Sequence, residues 1–259
     1  MNLAGIDIGI LWPALIAGLL VTATHVPLGI QVLNRGIVFI DLAIAQIAGL
    51  GVICADWLGF EPQGWAVQVS ALTAALAGAL LLTWTEKHWP EVQEAVIGVT
   101  FILAASGALI VLASNPHGAE HLKELLVGQI LWVSPGRLAP VALAYGVILL
   151  IWFALGERLG SVGFYLLFAC AVTASVQLVG LYLVFTTLIV PALATRRLVR
   201  HRLTVGYALG AAGYALGLVV SAWSDWPSGP AIVWVMTALA VIVFAFCSQA
   251  LRLKQSTTV

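Results

Sequence analysis

The sequence predicts an all-α, polytopic transmembrane bundle of roughly eight helices with one extra short or re-entrant segment. Three observations predict it. Of 259 residues, 62% are hydrophobic and only 8% charged, against roughly 25% charged in soluble domains, and the mean hydropathy is +1.07. The apolar residues gather into windows close to the roughly 20 residues that a helix needs to cross a bilayer. The basic residues gather between those windows, most densely in RRLVRHR at 196–202. With a net charge of zero, these clusters read as topology signals and not as a nucleic-acid surface. Residues 1–259 are expected to form a single transmembrane domain surrounded by lipid.

Seven windows are clear: 8–30, 37–58, 65–85, 95–114, 138–155, 203–223 and 231–250. The first follows Asp7 and lacks a basic leader, so it reads as a first crossing and not as a cleaved signal. The stretch 163–194 is too long for one crossing and short for two, with Gly180 near its middle and Pro191 near its end. Charge decides its path. With the N-terminus outside and a double passage through 163–194, Arg35, Lys87, Arg158, Arg196, Arg197, Arg200, Arg202, Arg252 and Lys254 all lie inside, leaving Lys123 and Arg137 outside. A break at Gly180 is allowed only where the freed backbone is buried in protein or faces water, which makes this region a candidate pathway wall.

Window 203–223 contains GYALG twice, starting at Gly206 and Gly213. Small residues at this spacing permit close helix contact, within the chain or between subunits. Trp57, Trp65, Trp84, Trp89, Trp132, Trp223 and Trp226 fall near window ends, as membrane-interface anchors do. Cys54, Cys170 and Cys247 lie far apart without metal or redox spacing and read as packing residues.

Ionisable groups at membrane depth are costly, so each is a functional candidate. Asp41 opens the second window, and Gln46 follows five residues on; the spacing is read as leaving the two side chains on roughly adjacent faces, able to line a cation path. The bland alternative holds Asp41 as a helix N-terminal residue near Arg35, favoured by the helix dipole. His25, two residues before Pro27, is either a ligand or a satisfied polar residue in a kinked helix end. In the loop after the fourth window, His117, Glu120 and His121 form H-x-x-E-H, in which residues four apart share a helical face and could hold one divalent cation. The same order occurs in inverzincin proteases, but a protease needs a third ligand and a folded domain around the metal. A plain solvated loop is the remaining reading. No phosphate loop or nucleotide fingerprint is present in the sequence, so energy for work must come from a partner or a gradient.

Four runs in order, EAVIGVTFILAASGALIVL, LLVGQILWVSP, VQLVGLYLVFTTLIVPALATRRL and SDWPSGPAIVWVM, resemble the membrane permease subunits of bacterial ABC transporters for zinc, manganese and iron. The resemblance covers roughly Leu11 to Phe246. It implies a transport subunit and not an enzyme: a homodimeric permease with a central path, a cytoplasmic ATP-binding subunit that hydrolyses ATP, and an extracytoplasmic metal-binding protein. It implies no resident cofactor, the zinc or manganese ion being cargo. In that family the second helix presents an aspartate followed by a histidine in the path. Asp41 matches the aspartate, while Ala45 or Gln46 stands where the histidine would. A neutral amide is a harder and weaker ligand than imidazole, so a zinc preference does not carry over unaltered.

The family's docking segment between the fifth and sixth helices is shortened here to GERLGSVG at 156–163. Glu157 and Arg158 are the residues left to dock the ATPase, unless segments 86–94 and 196–202 share the task. The metal candidates are therefore Asp41, Gln46 and His25 in the path, and His117, Glu120 and His121 at the outer mouth. The competing readings are a permease for a metal chelate, a membrane metalloenzyme built on H-x-x-E-H, and a non-transporting membrane partner.

Overall fold

The computed structural model describes residues 8–61, 64–112, 130–198 and 200–256. Within them the chain forms nine α-helices and no strand: α1 (Ile8–Arg35), α2 (Ile40–Trp57), α3 (Trp65–His88), α4 (Gln93–Leu112), α5 (Pro135–Leu155), α6 (Gly160–Val179), α7 (Leu181–Ala194), α8 (Arg202–Ser224) and α9 (Ser228–Ser256). Helix is the expected state, because a backbone in hydrocarbon must satisfy its polar groups within its own segment. Eight helices are long and apolar enough to cross a membrane, and α7 is the shorter exception. At 1.5 Å per residue, its 14 residues span about 21 Å, well under the roughly 30 Å hydrocarbon core.

Polar contacts fix which helix ends share a face. Arg35 at the end of α1 donates to Glu86 at the end of α3 (3.4 Å) and to Ser161 at the start of α6 (3.1 Å). Glu94 in the first turn of α4 accepts from the Phe39 amide at the entry to α2 (3.3 Å). Arg202, opening α8, reaches Asn34 Oδ1 (3.5 Å) and the Ala192 carbonyl near the end of α7 (3.4 Å). Helices α6 and α7 therefore leave and return to one face, reversing at Gly180, whose φ of 85° and ψ of 162° few residues but glycine adopt. Arg35, Lys87, Arg158, Arg196, Arg197, Arg200 and Arg202 all lie on this face, and Arg137, opening α5, lies on the other. The basic face is the cytoplasmic one.

Helix α2 packs on α3, α4 and α6, while α1 packs on α7 and α8, and α9 closes against α7 and α8. With lipid as solvent, close backbone approach drives much of this packing. The GYALG repeat shows how. A Cβ on Gly206 or Gly210 would meet Val26 (2.8 Å) or Thr22 (2.5 Å) of α1, while one on Gly213 or Gly217 would meet Met236 (2.8 Å) or Ile232 (2.5 Å) of α9. Each half of the repeat thus seats a different neighbour, and the glycines serve packing within the chain. The seven predicted tryptophan anchors are all exposed on the outer surface. Cys54 and Cys170 are free thiols, half-buried among the helices; the Cys247 side chain lies outside the described ones.

Candidate functional site within the bundle

Asp41 is the second residue of α2 and is wholly enclosed. Its Oδ1 accepts the Leu42 amide at 2.9 Å, and its Oδ2 has no partner among the described residues. The arginine expected beside it is occupied elsewhere: Arg35 is held by Glu86 and Ser161, with its guanidinium 4.5 Å from the Phe164 ring centre. Gln46 is half-buried. Five residues rotate an α-helix by about 140° beyond a full turn, so Asp41 and Gln46 diverge and do not sit on adjacent faces. Ala45, four residues from Asp41 and nearly above it, is the small buried residue on the aspartate's side.

His25 is also wholly enclosed, midway along α1. Its Nδ1 lies 3.1 Å from the Val21 carbonyl and 2.9 Å from Thr24 Oγ1, and its Nε2 has no partner among the described residues. A proton on Nδ1 satisfies Val21 and leaves the lone pair on Nε2, the form in which imidazole acts as a ligand. Helix α1 continues through Pro27. Proline supplies no N–H to the carbonyl four residues back, and that carbonyl, on Ala23, instead receives the Tyr207 hydroxyl of α8 at 3.3 Å. The helix does not end at Pro27 but runs on to Arg35, its freed carbonyl served by the neighbouring helix.

Among the described residues no group of three or more His, Cys, Asp and Glu comes together to hold a metal. His117, Glu120 and His121 lie outside the described residues, as does the Glu157 side chain. Arg158 is exposed in the 3-10 turn Gly156–Leu159 on the basic face. Beneath that turn opens a cavity of about 230 Å³, lined by Arg35, Trp152, Phe153, Gly156, Leu159 and Phe164 among others.

A search confined to ionisable residues passes over a set of polar cross-links. Tyr145 of α5 bonds Ser175 of α6, and Tyr214 of α8 bonds Thr187 of α7 at 2.9 Å, so both helices flanking Gly180 are clasped by hydroxyls. Gln93 is buried and ties Thr85 (2.9 Å), the Leu82 carbonyl (2.9 Å) and the Tyr165 hydroxyl (3.2 Å) together. The signal available in the sequence was the hydroxyls and amides standing inside apolar windows, where each needs a partner.

Polar groups are thus enclosed among apolar helices, with Asp41 Oδ2 and His25 Nε2 unpartnered among the described residues. The profile of the ABC 3 transport family matches residues 7–164 and 154–247. The chain is 25% identical over 248 residues to the high-affinity zinc uptake system membrane protein ZnuB of Haemophilus influenzae, covering 86% of this chain and 92% of that one. It is 26% identical over 201 residues to a probable iron transport system membrane protein of the same organism, covering 69% and 71%. The solved structure of PsaBC from Streptococcus pneumoniae in complex with Fab shares the fold, with a TM-score of 0.75 over 92% of each chain at 20% identity. Eight apolar helices and bacterial membrane-transport relatives together make this a multi-pass protein of the bacterial inner membrane.

Proposed function

This chain belongs to the ABC 3 transport family, and from that premise we propose that it is the permease subunit of an ATP-driven importer of a divalent transition-metal ion, zinc first, with manganese or iron as alternatives. The observation that carries the reading is Asp41: enclosed on every side, with one carboxylate oxygen unpartnered among the described residues. A carboxylate inside a bundle is retained where a cation passes or where a partner neutralises it, and no side chain described reaches that oxygen.

His25, with Nε2 open, is the second ligand in this reading, and Gln46 a weaker oxygen donor on another side of α2. Few and weak ligands suit a path, since an ion held too firmly is not released. ATP hydrolysis belongs to a separate cytoplasmic subunit, because the chain carries no phosphate loop. Glu157 and Arg158, in the turn above the 230 Å³ cavity, are its proposed docking residues. An extracytoplasmic metal-binding protein delivers the ion, with His117, Glu120 and His121 as the receiving site, and two copies of the chain form the path.

The test is metal uptake into proteoliposomes holding the permease with its ATP-binding subunit, comparing the unmodified chain with Asp41→Ala and Asp41→Asn. The expected result is ATP-dependent uptake of the bare zinc ion that both variants lose while inserting normally. Undiminished uptake by the variants removes Asp41 from the path, and uptake of a chelate in place of the bare ion moves the substrate class.

A further inference from the structure

Two residues before Asp41, the backbone entering α2 is held by a carboxylate from another helix. Phe39 has φ −91° and ψ 7° and gives α2 no side-chain cap. Its amide instead donates to Glu94 Oε1 of α4 at 3.3 Å. The opening amides of a helix have no partner within it, and in a capping box a glutamate in the helix's own first turn reaches back to the amide of the residue before it. Here the glutamate comes from α4.

Glu94 is half-buried, and its neighbour anchors the start of α4. The preceding residue, Gln93, is buried and bonded to Thr85 and Leu82 of α3 and to Tyr165 of α6. Helix α4 also packs along α2. The end of α3 and the starts of α2, α4 and α6 thus form one hydrogen-bonded block on the cytoplasmic face. The Ile40 amide also bonds the Ile37 carbonyl at 3.3 Å, so loss of the Glu94 bond would loosen the entry to α2 without releasing it, and Asp41 sits in the first turn after it.

We propose that Glu94 is a positioning residue for metal translocation: its acceptor oxygen fixes the entry of α2 and thereby the place of the Asp41 carboxylate. This rests on the reading of Asp41 as a path ligand. The role belongs to the acceptor and not to the charge, because one backbone amide bonded to one oxygen is what the geometry shows. Gln at 94 keeps an acceptor oxygen at the same reach, Ala removes it, and Asp withdraws it by one methylene.

The experiment is zinc-ion uptake as a function of concentration by proteoliposomes containing the full chain and its ATP-binding subunit. Glu94→Ala is expected to raise the apparent KM about fivefold, equivalent to about 1 kcal/mol at 1.4 kcal/mol per tenfold and the size of a lost cap, with maximal rate and membrane content little changed. Glu94→Gln restores the KM, a rescue that general loosening of the bundle would not give. Should Glu94→Ala fail to accumulate, Glu94→Asp must show the raised KM in its place. An unchanged KM in the Ala or Asp variant overturns the proposal, as does a Gln variant as impaired as Ala, which would assign the effect to charge. Asp41→Ala run in parallel separates the two ideas. If it abolishes uptake while Glu94→Ala behaves as unmodified, only the positioning role falls; if it transports normally, the path reading falls and the positioning role with it.

Discussion

The hydroxyl of Tyr207 on α8 donates to the Ala23 carbonyl of α1, the carbonyl that Pro27 cannot serve. An unsatisfied carbonyl inside a membrane protein is costly, so the tyrosine and the proline are linked although 180 residues separate them in the sequence. Tyr207→Phe is expected to destabilise the chain by about 0.6 kcal/mol and at most about 2 kcal/mol, the range measured for interhelical hydrogen bonds in membranes. In a Pro27→Ala background the helix supplies its own amide, and Tyr207→Phe should then cost close to nothing. Unfolding midpoints of the four proteins in detergent complete the cycle; equal effects in both backgrounds would show that the hydroxyl does not serve Ala23.

Glycines divide into those that seat a neighbour and those that do not. A side chain at Gly217 would stand 2.5 Å from the Cα of Ile232, and backbone cannot withdraw as a flexible side chain can. Gly217→Val should therefore lose folded protein, read as the monodisperse fraction after detergent extraction. Among the described residues nothing lies within 4 Å of a Cβ at Gly146 in α5. There Gly146→Ala should raise stability by roughly 0.5–1 kcal/mol through helix propensity alone. A loss at Gly146 would mean that something beyond the described residues covers that face.

The spans were legible because length and apolarity alone decide a crossing, and the return through α6 and α7 was legible because four arginines at 196–202 must stay inside. Gly180 stood out as the place for the reversal. What spacing could not show is contact between distant segments. Glu86 and Glu94 read as residues of a polar link, yet their partners are Arg35 and Phe39, 51 and 55 positions away. Asp41 could be picked out by its charge, but its full enclosure, and the engagement of Arg35 by Glu86 of α3 and Ser161 of α6, depend on contacts between distant segments. Tyr145, Ser175, Thr187 and Tyr214 carry no charge, and a search for ionisable groups is blind to them.

The separation of Asp41 and Gln46 around α2 leads to a prediction about the missing histidine. Residues four apart share a helical face, so an imidazole at position 45 would stand on the side of Asp41, whereas one at position 46 would point away. Ala45→His should add a nitrogen ligand to the carboxylate and strengthen zinc binding, the softer donor favouring zinc over manganese. Stronger binding in a path slows release, so uptake at saturating zinc should fall while the concentration for half-maximal uptake also falls. Ala45 is buried, with 3% of its surface exposed, and the larger side chain should cost about 1–3 kcal/mol of stability. Gln46→His, with its imidazole on another side of α2, should lack the tighter zinc response of Ala45→His. Concentration-dependent uptake of zinc and of manganese by the two variants checks this, and a tighter zinc response in Gln46→His with none in Ala45→His would place the path on the other side of α2.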